Sequence, residues 1–301
     1  MILVTGGLGF IGSHLVDQLL KNGEKVRVID NLSTGRRSNL PPSKNLEIIE
    51  ADICNPIEWI DDVKTIFHLA ADPDVRSSVE DPSKSFKINV VGSFNLLESA
   101  RQNNIKNFIF ASSGGTVYGD TPQAISENSP LQPISPYGAS KSAFEMYLSA
   151  YSHSYTMNCI SLRLGNVIGP RSEHGVIWDF FHKLKKNPNQ LEILGDGKQE
   201  KSYIHVSDTI SAFLLTQKVK GFEAYNVANG GTLTVTQLAK LVAETMKLSP
   251  ELKYTGGERG WVGDVKTSIT EISKLKKLGW APKLSQTEAV NSYVQYLLKT
   301  Y

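Results

Sequence analysis

Ile2-Leu3-Val4-Thr5-Gly6-Gly7-Leu8-Gly9-Phe10-Ile11-Gly12-Ser13-His14-Leu15 is the stretch that decides the fold. Its first residues form a short apolar run that reads as a buried strand. Gly6, Gly9 and Gly12 follow, and Phe10, Ile11, Leu15, Leu19 and Leu20 then recur at helical spacing up to Asn22-Gly23. A strand, a glycine turn and a helix in that order open a βαβ unit. Glycine admits positive φ and lets a backbone approach a pyrophosphate closely. The start of a helix then offers free N–H groups and a favourable dipole to the anion.

Working outward, residues 25–30 (KVRVID) read as the second strand, ending in Asp30. A carboxylate there accepts hydrogen bonds from both adenosine ribose hydroxyls and repels a 2′-phosphate, which favours NAD over NADP. Arg36 and Arg37 lie nearby and read as a solvated turn. A third strand at 46–50 precedes Asp52 and Ile53, where a polar side chain can meet the adenine amino group. Strands at 65–71 and 107–112 follow, with a helix predicted at 83–104 between them. Leu69, Ala70 and Ala71 end the first of these and leave room for a cofactor. A helix at 136–155 and a strand at 159–163 complete the alternation. Strands separated by helices, joined by right-handed crossovers, predict an α/β fold with a doubly wound parallel sheet.

The second half is less regular. It reads as a strand at 191–194, a helix after His205, a strand at 224–227, a helix at 234–247, a glycine-rich loop at 255–263 and a final helix at 286–299. The expected organisation is a dinucleotide-binding domain over 1–165, with later segments returning to it, and a smaller interleaved α/β substrate domain mainly over 166–301.

Composition excludes several classes. The 301 residues are 40% hydrophobic and 21% charged with net charge +2, which leaves no electrostatic footprint for nucleic acid. Two cysteines, Cys54 and Cys159, do not make a disulfide framework and read as core. No apolar run is long enough for a membrane span, and the first residues lack a basic leader. A cytoplasmic protein without membrane contact is expected. His14, His153 and His182 have no partners at metal-ligand spacing, so no metal is expected. His205 reads as a packing or capping residue, and Trp178, Trp261 and Trp280 as core or pocket wall.

The chemistry is carried by Tyr137-Gly138-Ala139-Ser140-Lys141. On a helix, Tyr137 and Lys141 share one face a turn apart. An ammonium within ~4–6 Å, together with a positive nicotinamide, is expected to lower the phenol from its usual value near 10. Such a phenolate takes a proton from a sugar hydroxyl while hydride leaves the same carbon. The strand ending Ala111-Ser112-Ser113-Gly114-Gly115-Thr116 places hydroxyls where doubly wound sheets bind ligands. Ser113 suits the proton-passing role when counted from the strand; Ser112 and Thr116 are the other hydroxyls there.

Taken together, T-G-G-x-G-F-I-G-S-H (5–14), D-N-L-S (30–33), P-Y-x-x-S-K (136–141), Y-I-H-V-x-D (203–208) and L-G-W-x-P (278–282) resemble the NAD-dependent epimerase/dehydratase family, the extended short-chain dehydrogenase/reductases. The resemblance covers nearly the whole chain and implies a Rossmann fold and NAD as cofactor. The implied activity is 4-epimerisation of UDP-glucose and UDP-galactose, in the pattern of the shorter archaeal members. It implies Tyr137 as base, Lys141 as its partner and cofactor-ribose ligand, and Ser113 as hydroxyl partner. Phe10, Ile11, Asn31, Ser33, Asn89 and Ser112 join the glycines, Asp30, Asp52, Ile53 and Leu69–Ala71 as cofactor contacts. For the UDP-sugar it implies Asn166 and Lys201 on the diphosphate side, Val176 and Ile177 near uracil, and Arg259 and Asp264 at phosphate and ribose. Ser268 borders the sugar's C2 substituent, where a small residue admits N-acetylhexosamines. Relatives dimerise through a four-helix bundle, and Phe86, Phe94, Leu97, Phe144, Met146 and Leu148 fit such a homodimer.

There are departures from the family pattern. Aligned backwards from Val117, the catalytic hydroxyl falls on Gly114, which has none. Lys201 stands where Arg is frequent and loses the bidentate fork. Gly114-Gly115 stand where the family's 4,6-dehydratases carry an Asp-Glu pair. A decarboxylase of UDP-glucuronate needs a basic carboxylate site, for which Arg76 is the one candidate; otherwise Arg76 reads as a surface salt bridge.

Overall fold

The computed structural model describes residues 1–121, 123–257, 265–267 and 269–301. Strand β1 (Ile2–Thr5) is buried at every residue, as expected of a strand covered on both faces. Helix α1 (Phe10–Lys21) follows, then β2 (Val26–Asp30), β3 (Leu46–Glu50) and β4 (Thr65–His68). Helices α2 (Val75–Glu80), α3 (Pro82–Phe86) and α4 (Ser93–Gln102) lead to β5 (Asn107–Ser113). Helix α5 (Pro136–Tyr155) and β6 (Asn158–Leu164) complete the regular half. A seventh strand, Phe222–Val227, comes back from the second half of the chain to pair with β6.

All seven strands pair in parallel, in the order Phe222–Val227, β6, β5, β4, β1, β2, β3. The chain therefore winds outward in both directions from β1 and β4. Their registered ends, Thr5 opposite His68, mark the switch point where such sheets bind ligands. This is a Rossmann fold.

Alternation along each strand splits the core. Val4 belongs to one face with Leu15, Val16, Leu19, Phe67, Phe213 and Tyr225. Leu3 belongs to the other with Leu96, Leu97, Phe108, Phe144 and Leu148. A third cluster lies in the second half and joins Phe180, Phe181 and Leu184 to Leu238, Val242, Tyr293 and Leu297. Cys159 and Trp280 are buried in these cores, and Cys54 is half-buried against one.

The helix read at 83–104 is not one helix. Asp81 caps α3, and a π-turn spans Lys87–Gly92 before α4 begins. Helix periodicity survives a single π-turn, so the interruption leaves little trace in the apolar pattern. Helix α2, started by Asp74 accepting from the Arg76 and Ser77 amides, is too short to show a period. The strand read at 65–71 stops at His68, because the chain after it leaves the sheet to line the switch point.

Candidate active site

The glycine turn is held by backbone-on-backbone contact. Gly6 has φ +68°, and a Cβ on it would lie 2.7 Å from the Ala70 amide nitrogen. A Cβ on Gly12 would lie 2.1 Å from the Gly6 carbonyl oxygen. Gly9 supplies no side-chain cap to α1, so the first-turn amides face outward without one. A bare helix start over a side-chain-free cradle fits a dinucleotide pyrophosphate.

Asp30 is nearly buried, and its two oxygens accept from the Leu8 amide at 3.0 Å and the Leu32 amide at 2.9 Å. It thus fixes the turn it was read as serving, while each oxygen keeps a further lone pair for a ribose hydroxyl. Asn31 donates to Asp52 at 3.0 Å, and Asp52 also accepts from the Cys54 amide at 2.8 Å. Burial raises the Asp52 pKa, but these hydrogen bonds outweigh it and hold the carboxyl below its usual value. Ser33 closes the loop through its amide onto Asn31. Ile53 is buried in the core, and Leu69, Ala70 and Ala71 are half-buried beside the glycine turn.

Ser135 caps α5, accepting from the Gly138 amide at 3.2 Å, with Pro136 in the first turn. This start presents Tyr137 to the end of β5. The Ser113 hydroxyl accepts from Thr116 Oγ1 at 2.8 Å and hydrogen-bonds the Tyr137 phenol. Two of the three candidate hydroxyls therefore form one chain to the phenol, with Ser113 adjoining it. The third, on Ser112, is taken up by Glu145. Gly114 is glycine for a packing reason: a Cβ there would lie 2.8 Å from the Arg163 carbonyl oxygen.

Lys141 is buried, donates to the Ala111 carbonyl at 3.0 Å, and stands 5.7 Å from the Tyr137 ring centroid and 4.6 Å from that of Phe110. The expected acidification of the phenol is absent in the protein alone. Burial pushes Tyr137 up to about 12, against the Ser113 hydrogen bond, and Asp72 raises it further. Burial likewise pulls Lys141 down to about 7, opposed by Glu145. Desolvation disfavours both charged forms.

Several supporting residues carry no sequence motif. Thr5 Oγ1 and His68 Nδ1 are 2.7 Å apart, and His68 Nε2 lies 2.8 Å from Ser93 Oγ. His68 is fully buried, stacks on Phe110, and is lowered to about 3 by burial and by Lys141. Asn89, read as a cofactor contact, spends its amide within the protein. It accepts from the Asp72 amide at 2.8 Å, and its two N–H groups are shared among Asp72 O, Ser85 Oγ and Ser140 Oγ, each 3.1 Å from Nδ2. It thereby ties the π-turn, the loop after β4 and α5 together.

On the proposed sugar side, Asn166 is exposed and donates to the Ser202 carbonyl at 3.1 Å. Lys201 donates to the Val265 carbonyl. Val176 and Ile177 begin the helix Val176–Lys186; Ile177 is buried in the third core and Val176 packs on it. Arg259, Trp261, Asp264 and Ser268 lie outside the described residues. Arg76 is exposed and has no acidic partner among the described residues, so the surface salt bridge read for it does not form there. His205 caps the helix Val206–Thr216 through Nδ1, and His14 contacts the Pro170 carbonyl at 2.9 Å. Among the described residues no group of three His, Cys, Asp or Glu side chains gathers to hold a metal.

A glycine cradle at the switch point of a parallel sheet, with half-buried Ser113 and Tyr137 and the buried Lys141 beside it, defines a dinucleotide-dependent enzyme. The family model of NAD-dependent epimerases and dehydratases matches residues 2–228, and the chain belongs to that family, with NAD as its cofactor. A putative UDP-glucose 4-epimerase of Methanocaldococcus jannaschii is 37% identical over 305 residues, covering 99% of this chain and 98% of the relative. The crystal structure of a UDP-glucose 4-epimerase of Thermotoga maritima with UDP-glucose superposes with TM-score 0.92 at 38% identity, covering 99% of each chain. A UDP-N-acetylglucosamine 4-epimerase of Methanobrevibacter ruminantium, in complex with UDP-N-acetylmuramic acid, superposes with TM-score 0.91 at 34% identity, covering 100% of this chain and 98% of that one.

Proposed function

We propose that the chain is a UDP-glucose/UDP-galactose 4-epimerase, with 1–165 holding mainly the dinucleotide and 166–301 mainly the sugar nucleotide. The observation that carries this reading is the hydroxyl chain from Thr116 through Ser113 to the Tyr137 phenol, set at the switch point one helical turn from Lys141. NAD, which Gly6, Gly9, Gly12 and Asp30 would hold, would supply the hydride acceptor and donor at sugar C4. The chain's own residues handle the proton. Ser113 donates to the phenol oxygen and stabilises its ionised form. Tyr137 then accepts the O4 proton, directly or through Ser113, and gives it back after the 4-keto sugar has turned. Lys141, whose pKa burial draws down to about 7, stabilises the phenolate when protonated. Asn166 and Lys201, with Arg259 and Asp264, are proposed to hold the UDP moiety.

Gly114-Gly115 provide no acid-base pair for dehydration, which favours epimerisation over loss of water. The N-acetylhexosamine-processing relative makes UDP-N-acetylglucosamine the second substrate to test. The decisive experiment incubates purified protein with UDP-galactose and resolves the products. Formation of UDP-glucose is expected; decarboxylation of UDP-glucuronate without hexose interconversion would overturn the reading.

We also propose a homodimer, although Leu97, Phe144 and Leu148, read for it in the sequence, are buried in the core of the chain itself. Val79, Phe86 and Val91, together with Met146, Tyr147 and Tyr155 of α5, are large apolar side chains left exposed, Phe86 at 59% and Met146 at 53%. Pairing of this face with a second copy buries them. Sedimentation of the wild type against a Phe86→Glu/Met146→Glu variant tests it, with dissociation of the variant expected.

A further inference from the structure

Three successive turns of α5 touch the last three residues of β5. Tyr137 meets the Ser113 hydroxyl, Lys141 the Ala111 carbonyl, and Glu145 the Ser112 hydroxyl. The first two contacts belong to the site already described. The third does not, although positions 137, 141 and 145 lie on one helical stripe. Glu145 is fully buried, and its carboxylate is forked by Arg163: Nε at 3.2 and 3.0 Å from the two oxygens, Nη2 at 2.7 Å from Oε2. Arg163, itself buried, also donates to Tyr118 Oη at 2.7 Å and the Glu127 carbonyl at 3.1 Å. Tyr118 continues to Asn226 Oδ1 at 2.7 Å, on the edge strand Phe222–Val227.

We propose that Glu145 is a positioning residue of the active site, whose buried carboxylate locks Lys141 in register with the end of β5 and serves as its counter-charge. This inference deepens the epimerase reading and rests on it for its consequence in turnover. A buried ion pair alone is weak evidence for a stabilising role, since desolvation opposes it. Here the pair has a second effect, because Glu145 is the group that opposes the burial-driven loss of charge on Lys141. The charged and titratable groups facing Lys141 are Tyr137 and Glu145 from its own helix and His68 from β4. Arg163 from β6 is bound to Glu145, and Asp72 after β4 acts on Tyr137. Glu145 is therefore the nearby anion acting on the lysine, and without it Lys141 sheds its proton at lower pH.

The test combines a titration with kinetics. Protein labelled with 13Cε-lysine is titrated by NMR, with the Lys141 resonance assigned by its loss in Lys141→Met. In wild type the midpoint is expected near 7. In Glu145→Gln, which keeps an acceptor for Ser112 but loses the charge, it moves down by about one pH unit, the scale of a neighbouring charge. Glu145→Asp restores it towards wild type. Turnover of UDP-galactose by Glu145→Gln falls at least about tenfold in kcat with little change in KM, and the alkaline limb of its pH profile moves to lower pH. Where Glu145→Gln does not fold because Arg163 is left unpaired, Glu145→Gln/Arg163→Gln removes both charges and is expected to lower the Lys141 midpoint as well. A folded variant whose Lys141 midpoint equals the wild-type value overturns the inference. Absence of UDP-hexose turnover in wild type overturns the epimerase reading instead, and the titration still decides the role of Glu145.

Discussion

Gly12→Ala tests the cradle. The added Cβ would stand 2.1 Å from the Gly6 carbonyl oxygen and 2.9 Å from the Gly6 carbonyl carbon and Gly7 Cα. Ordinary contact lies near ~3.5 Å, so the overlap exceeds about 1 Å. Every atom in the way is backbone, and no flexible side chain can swing aside. Overpacking of this kind typically costs about 1–3 kcal/mol, and the upper end applies where backbone must move. If the strain falls on the turn that receives the pyrophosphate, a loss of ~3 kcal/mol weakens NAD binding by about 100-fold. Isothermal titration with NAD measures this directly, and the NAD-induced rise in Tm should shrink in parallel. Gly23→Ala is the control: Gly23 has φ +84° with nothing within 4 Å of a built Cβ. It should lose about 1 kcal/mol of stability from backbone strain and leave NAD affinity unchanged. Wild-type NAD affinity in a folded Gly12→Ala protein would refute the reasoning.

Tyr137→Phe should lower UDP-hexose turnover by about 10²–10⁴-fold, the usual worth of a proton-transfer group, while the Tm stays close to wild type. Asn89→Ala leaves the Asp72 amide without its acceptor and should cost roughly 1–3 kcal/mol in urea unfolding. His68 has a folded pKa of about 3 against an ordinary value of 6.5, so the unfolded chain binds the extra proton between those values. Its contribution to stability is present above about pH 6.5 and is lost as pH falls towards 3, by about 5 kcal/mol at most. Unfolding free energies measured across that window should fall more steeply for wild type than for His68→Phe.

Much of the fold was legible because burial on both sheet faces leaves apolar runs, and because a glycine turn between strand and helix has few alternative meanings. Sequence could not display the π-turn at Lys87–Gly92, within which Asn89 bonds to residues distant in the chain. The strand ending in Ser113 and the helix carrying Tyr137 and Lys141 were both readable, which narrowed the hydroxyl without deciding it; the Thr116–Ser113 bond needed three dimensions. Spacing shows that an ammonium is near a phenol, but not that both are desolvated, and in the protein alone burial sets the direction of each. The internal roles of Asn89, in hydrogen bonds, and of Ile177, in the third core, depend on partners distant in the chain. Glu145 and Arg163 escaped notice because a charged residue on a helix or strand looks like a solvated face until its partner is seen.

The edge strand Phe222–Val227 bears on how the protein is made. It is the seventh member of the sheet and delivers Asn226 to the buried Tyr118–Arg163 group. A ribosome that has emitted residues 1–164 has already synthesised the glycine turn, the tyrosine and the lysine. Strand β6 nevertheless remains an open, hydrogen-bonding margin until residue 227 has emerged. During that interval the nascent chain carries an uncapped parallel edge, the kind of surface that recruits other strands. Synthesis rate over 165–227 thus sets how long the margin of β6 stays open.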